Sequence, residues 1–330
     1  ALKQWAGLDH YKKVETKNID QDLNASEAEF LNRNLTEASL TVLRNSSVLI
    51  PLQELDTLKI AAISVGGKLD NKFQQSLQLY SKITSFNIPF EATVAALDSV
   101  KISISDINLV IIAVHDDSKY PRNNMKLSEE VQLFLKSISR EKKSILAYFK
   151  NPYSLNDLQV EADVASLILT YQDSKNSEDL AAQLIFGGVG ANGKLPVSIG
   201  DKFKEGDGLT ISGGLRFKYS LPEEANMNAE LLNRKIDSLM QQALDLKAIP
   251  GGQILVARDQ KVIFHKAYGT HSYSDTTKVK LTDLYDLASI TKIASVLPAL
   301  MKLKDENKFS LEAGLDTYLP YFRNSNKAGI

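Results

Sequence analysis

Short apolar runs alternate with amphipathic stretches through the first two-thirds of the chain. KIAAISV (59–65), INLVIIAV (107–114), KSILAYF (143–149) and ASLILTY (165–171) are continuous apolar runs. Such runs suit strands covered on both faces. Between them, residues 71–82, 127–139, 155–161 and 177–186 read as helical. Strand alternating with helix predicts an α/β fold built on a doubly wound, mainly parallel sheet. Upstream, Ser26 precedes Glu29 by three residues, a capping-box pattern. Leu31, Leu35, Ala38 and Val42 then recur at helical spacing, predicting a helix over about 27–44 that Pro51 stops. LPVSI (195–199) reads as a last short strand, and 200–225, rich in Gly, Glu and Pro, as a linker.

The pattern then changes. Residues 229–246 are helical, and GGQILVARDQKVIFHKAYG (251–269) is two β-rich runs around Asp259 and Gln260. That predicts a hairpin whose turn lacks the strong glycine signatures. A second helix begins near Ala288, and Pro298 should kink or restart it. The length of 330 residues is enough for two domains. A net charge of −1, with no basic stripe carrying interleaved aromatics, argues against nucleic acid as a partner. The longest purely apolar run, Leu109 to Val114, is too short to span a bilayer. With no cysteine, disulfide and thiolate chemistry are excluded. ALKQWAGLDHY lacks the pattern of a signal peptide and reads as the tail of an interrupted element.

Gly188 to Lys194 has the spacing of a phosphate-binding loop, but Leu195 stands where a magnesium-binding hydroxyl belongs. A helix enters and a strand leaves, the reverse of what phosphate binding needs, so the expectation is a helix C-cap and a tight turn. No cofactor is expected. The four histidines, His10, His115, His265 and His271, show no ligand spacing, so no metal site is expected either. Asp116 and Asp117 follow LVIIAV at the end of a predicted strand, where doubly wound sheets meet ligands. Adjacent loop residues rarely point at one atom, so a substrate contact there competes with a solvated loop.

Two Ser-x-x-Lys matches occur. Ser139 to Lys142 lies in charged SREKKS and reads as a solvated helix end. Ser289 and Lys292 lie in YDLASITKIASVLPALMKL, apolar on both sides. Spacing of three puts both side chains on one helix face. An alcohol needs an adjacent base to become a nucleophile. An amine serves when burial and neighbouring charge lower its pKa. Free N–H groups of a first helical turn suit a developing oxyanion. A serine cap with an unrelated lysine one turn on is the competing reading.

IPGGQILVARDQKVIFHKAYG, LYDLASITK and LKDENKFSLEAGLDTYLPYF, in that order, resemble the opening of class C β-lactamases and related penicillin-binding-type serine hydrolases. The resemblance covers 226–330 and implies Ser289 as the acylated nucleophile and Lys292 as its partner. It also implies an incomplete α+β domain. The family's Tyr-x-Asn is absent, since Tyr318 is followed by Leu-Pro, and no Lys-Thr-Gly or His-Thr-Gly follows Ser289. LTEASLTVLRNSSVLIPL, KSILAYFKNPYSL and DLAAQLIFGGVGANGKLPVSI resemble the C-terminal α/β sandwich of glycoside hydrolase family 3, over 25–222. ALKQWAGLD, within 1–24, resembles the end of that family's (β/α)8 barrel. Together they resemble Bacteroidetes-type fusions of a β-N-acetylglucosaminidase-like glycosidase with a β-lactamase-like domain. This implies a glycosidase nucleophile upstream of residue 1, carbohydrate or peptidoglycan-derived substrates, and a periplasmic or otherwise exported location. The fragment by itself is expected to be inactive. The alternative is a non-catalytic scaffold joined to a degenerate β-lactamase-like binding module.

Overall fold

The computed structural model describes residues 1–10, 13, 15–23, 25–115 and 126–327, with the backbone alone at 21 and 22. Two short helices, α1 (Leu2–Trp5) and α2 (Ile19–Leu23), precede the first long one, α3 (Ser26–Ser39). Ala25 caps α3 and no side chain does, because the Ser26 hydroxyl bonds Glu27. The expected capping box is therefore not made. Nor does the helix reach residue 44. Residues Thr41–Asn45 form strand β1 and pair antiparallel with β6 (Ser166–Leu169). Buried β-branched Thr41 and Val42 gain a sheet edge that the helical spacing did not reveal.

The sheet continues through β2 (Ile60–Val65), α4 (Lys72–Gln78), β3 (Ile83–Ile88), α5 (Val94–Ser103), β4 (Leu109–Val114), α6 (Glu129–Glu141) and β5 (Lys143–Tyr148). After β6 comes α7 (Lys175–Phe186). The strand order is β1-β6-β5-β4-β2-β3, parallel except at β1. Each strand splits its side chains between two cores. Leu109, Ile111 and Ala113 join Phe73, Leu77 and Leu184, from α4 and α7. Val110, Ile112 and Val114 join Leu97, Val131 and Leu135, from α5 and α6. All six positions of β4 are buried, which is why it reads as an unbroken apolar run.

Between α7 and the next helix, the stretch read as a linker is packed. Arg216 donates to the carbonyls of Leu52 and Phe186, and Leu209 N–H donates to Val42. LPVSI forms no strand; Ile199 bridges Phe203 across Gly200, whose φ is 51°. Strand β7 (Lys218–Tyr219) pairs with β9 (Lys261–Gly269), which pairs antiparallel with β8 (Gly251–Arg258). Asp259 and Gln260 turn the hairpin with φ of 50° and 61°. Helix α8 (Ala229–Asp245) holds this sheet through Asp237, bonded to Lys266 and Tyr268.

One compact unit runs from Ala1 to Thr282 and a second from Asp283 to Ile330. The second holds a 3-10 turn (Ala288–Ile290), a π-type turn (Lys292–Val296), α9 (Leu297–Asp305) and α10 (Leu315–Tyr318). Pro298 lies in the first turn of α9, where its missing N–H costs least. The wide turn before it is the restart that the proline forces.

Candidate functional site

The Ser289 turn is set up by one unusual residue. Ala288 has φ of 43°, a left-handed conformation that costs a non-glycine residue on the order of 1 kcal/mol. Asp286 fixes it by accepting the Ala288 N–H at 2.9 Å. Ser289 then lies inside the turn and Leu287 is its N-cap, so the serine-cap reading does not describe this geometry. Lys292 Nζ donates to Ser289 Oγ at 3.1 Å. Both residues are exposed, as are their apolar neighbours Ile290 and Ile293. With the direction of that bond reversed, a neutral amine one turn away can accept the hydroxyl proton as the oxygen attacks a carbonyl carbon.

The other Ser-x-x-Lys does not form a pair. Ser139 is buried in the last turn of α6, contrary to the expected solvated end, because its face of the helix packs on the sheet. Lys142 instead donates to the carbonyls of Ser105 and Ile107. The glycine loop is a helix end. Gly187 caps α7 with φ of 77°, and Gly193 is held by its N–H to the Leu40 carbonyl. A Cβ on Gly193 would lie 2.5 Å from that carbonyl, so the glycine serves packing.

At the carboxyl rim of the sheet, the fold assembles a cluster that no sequence motif marked. The chain steps outward from β2 to β3 in one direction and from β4 to β6 in the other, so the ends of β2 and β4 mark the switch point where doubly wound sheets meet ligands. His115 ends β4 there. Its ring is almost wholly buried and stacks on Phe149, with centroids 5.0 Å apart. Gly67, following β2, leaves the ring its space: a Cβ would sit 2.6 Å from His115 Cδ2. His115 Nδ1 lies 3.1 Å from Asp173 Oδ2. Glu178, in the first turns of α7, accepts the Phe73 N–H at 2.9 Å through Oε2 and is hydrogen-bonded to Asp173. Burial, and then the Asp173 carboxyl, push Glu178 up to about 7. Among the described residues His115 Nε2 has no partner. Ligand atoms of His115, Asp173 and Glu178 all lie within 4.8 Å of one another. Asp116 and Asp117 lie outside the described residues. His265 is half-buried on β9, and burial lowers its pKa.

Beside this, Arg33 and Asp179 form a buried ion pair at 2.6 Å. They line a cavity of about 490 Å³ with Tyr219, Val262, Phe264 and His265. Their charges satisfy each other, Ser76 and the Tyr219 carbonyl. No helix among the described residues is long and apolar enough to cross a membrane.

Residues 236–330 match the Beta-lactamase family model and form a β-lactamase-family segment. Over 113 residues the chain is 34% identical to a putative D-alanyl-D-alanine carboxypeptidase of Escherichia coli K12, covering 32% of this chain and 26% of that protein. Over 90 residues it is 31% identical to protein flp of Staphylococcus aureus NCTC 8325, covering 27% of this chain and 18% of that protein. The chain thus spans about a quarter or less of these relatives. Similar solved structures include a glycoside hydrolase family 3 β-N-acetylglucosaminidase from Paenibacillus (15% identity, TM-score 0.40, 56% of this chain and 35% of that one). Another is a β-glucosidase from Listeria innocua (17% identity, TM-score 0.48, 58% of this chain and 30% of that one). A doubly wound α/β domain is followed along the chain by a segment that matches the Beta-lactamase family model.

Proposed function

We propose that Ser289 is the nucleophile of an acyl-transferring serine hydrolase and Lys292 the group that handles its proton. The observation that carries this is the 3.1 Å contact between Lys292 Nζ and Ser289 Oγ, inside a segment that matches the Beta-lactamase model. In the reaction, Oγ bonds to the acyl carbon and its proton passes by way of the amine to the leaving nitrogen or oxygen. Water then splits the ester and restores the serine. In the longest natural form of the protein, a penicillin or fluorophosphonate probe should add its mass to Ser289. Ser289→Ala should abolish the adduct, and Lys292→Ala should slow it by at least ~100-fold. An alanine variant at 289 that keeps the activity would overturn the reading.

The same proposal holds that the 330-residue chain alone turns over no acyl substrate. Ser289 and Lys292 are exposed here, and no Lys-Thr-Gly or His-Thr-Gly follows them. Rapid acylation of this chain in isolation would contradict that. For residues 25–222 the quoted segments support a glycoside hydrolase family 3 C-terminal domain, with 226–330 as the separate serine-hydrolase part and 1–24 as the end of a barrel and a connecting stretch. The sugar chemistry proposed is of the β-N-acetylglucosaminidase type, on carbohydrate or peptidoglycan-derived substrates. The proposed location, periplasmic or otherwise exported, rests on the resemblance to the fusion family. Release of the chromophore from an aryl N-acetylglucosaminide, set against the aryl glucoside, tests the sugar class; preference for the glucoside would reject it.

A further inference from the structure

The carboxyl rim of the sheet carries a donor set that the serine chemistry leaves unused. We propose that His115, Asp173 and Glu178 together bind one divalent cation of the zinc class, which pins the carboxyl rim of the sheet to the first turns of α7. The set is one imidazole and two carboxylates, donors that suit first-row metals. The geometry is close to what an ion requires. Two ligands at adjacent corners of an ion with ~2.1 Å bonds stand ~3.0–3.4 Å apart. His115 Nδ1 and Asp173 Oδ2 stand 3.1 Å apart. The third donor atom lies within 4.8 Å of both, so a side-chain adjustment of under 2 Å, on the order of one rotamer shift, completes the triangle.

The surroundings hold the donors in place before any ion arrives. Phe149 stacks flat on the imidazole, at an interplanar angle of 12°, and fixes its plane. Gly67 leaves the far edge of the ring free of a side chain. The Phe73 N–H takes one oxygen of Glu178 and turns the carboxylate toward Asp173. The imidazole is almost wholly buried with its Nδ1 turned to Asp173, so the ring presents that nitrogen to the carboxylates. Three protein donors leave a coordination position for water or another ligand.

The test uses the full chain stripped with a chelator and titrated with Zn²⁺ in a calorimeter and with Co²⁺ in a spectrophotometer. One ion per chain is expected, with micromolar or tighter affinity, visible d–d bands for Co²⁺, and a raised melting temperature. Glu178→Gln and Asp173→Asn, which keep shape and hydrogen bonding, should each weaken binding at least tenfold. His115→Ala should abolish it, with circular dichroism verifying its fold. The Co²⁺ spectrum of the unaltered chain tests the idea even if a variant fails to fold. Absence of binding, or binding untouched by the three substitutions, would overturn the proposal. So would a Glu178→Gln chain that is more stable than the original while the original binds no ion, the signature of a shared proton.

Discussion

A residue's neighbours in space, not its type, decide what each charged group does here. Arg33 and Asp179 are both buried, and their ion pair also engages Ser76, Gln183 and the Tyr219 carbonyl. Removing one partner strands the other. Arg33→Ala is therefore expected to cost about 3–5 kcal/mol in urea denaturation, whereas replacing both by apolar residues of similar volume should recover most of that loss. Ser289 and Lys292 were legible in the sequence because three residues of helix bring them together by local geometry alone. His115 and Asp173 are separated by 58 residues, and only the parallel sheet brings the ends of β4 and β6 to one rim. A lone histidine ending an apolar strand, followed much later by Asp and Glu five apart, was the available hint. It has no motif spacing, which is why a metal site was not expected from the sequence.

At the scale of single elements, fully buried strands announce themselves through continuous hydrophobicity, and those over 59–65, 107–114, 143–149 and 165–171 all appear as strands. Elements with weaker patterning escaped. Strand β3, with exposed Thr84 and Ser85, sits at the sheet edge, where its apolar run is broken by polar residues that reach solvent. Helix α5 buries just Leu97 within its span. Strand β1 was absorbed into the preceding helix because Val42 continues that helix's spacing. The β8–β9 turn shows the opposite case, a correct hairpin on unpromising residues. Both of its central residues take positive φ, which glycine adopts freely and glutamine only at a cost. Gln260→Gly should stabilise the chain by about 1 kcal/mol, read as a higher urea midpoint with unchanged slope. A lower midpoint would mean that the glutamine side chain contributes more than its backbone costs.

Over the whole molecule, the segment that reads as a linker is a fastening. Lys218 reaches Glu37 on α3 and Glu224 beyond β7, and Lys261 on β9 lies 3.8 Å from Glu224. Burial works to raise Glu224, but the hydrogen bonds from Lys218 and Ser220 and the charges of Lys218 and Lys261 outweigh it and hold the carboxyl below its usual value. A carboxyl depressed in the folded state adds stability that is present above its unfolded pKa and disappears as pH falls through the folded one. Stability should therefore be flat from about pH 6 to 5 on this account and drop below about pH 4. Glu224→Gln should remove part of that acid-side slope and cost about 1 kcal/mol at neutral pH. Urea midpoints measured from pH 3 to 7 check both statements, and an unchanged slope in the variant would reject the assignment.

What the sequence determined by itself was whatever depends on near neighbours along the chain: the buried strands, the helices read over 71–82, 127–139 and 177–186 but not the one over 155–161, the hairpin, and a serine one turn from a lysine. Periodicity and spacing are local properties, and local backbone geometry converts them directly into structure. The tertiary fold alone decided which strand ends meet, so it alone created the His115–Asp173–Glu178 cluster and the Arg33–Asp179 pair. It also turned a polar, glycine-rich stretch into a packed fastening, because the partners for those backbone groups lie on helices and strands far away in the chain.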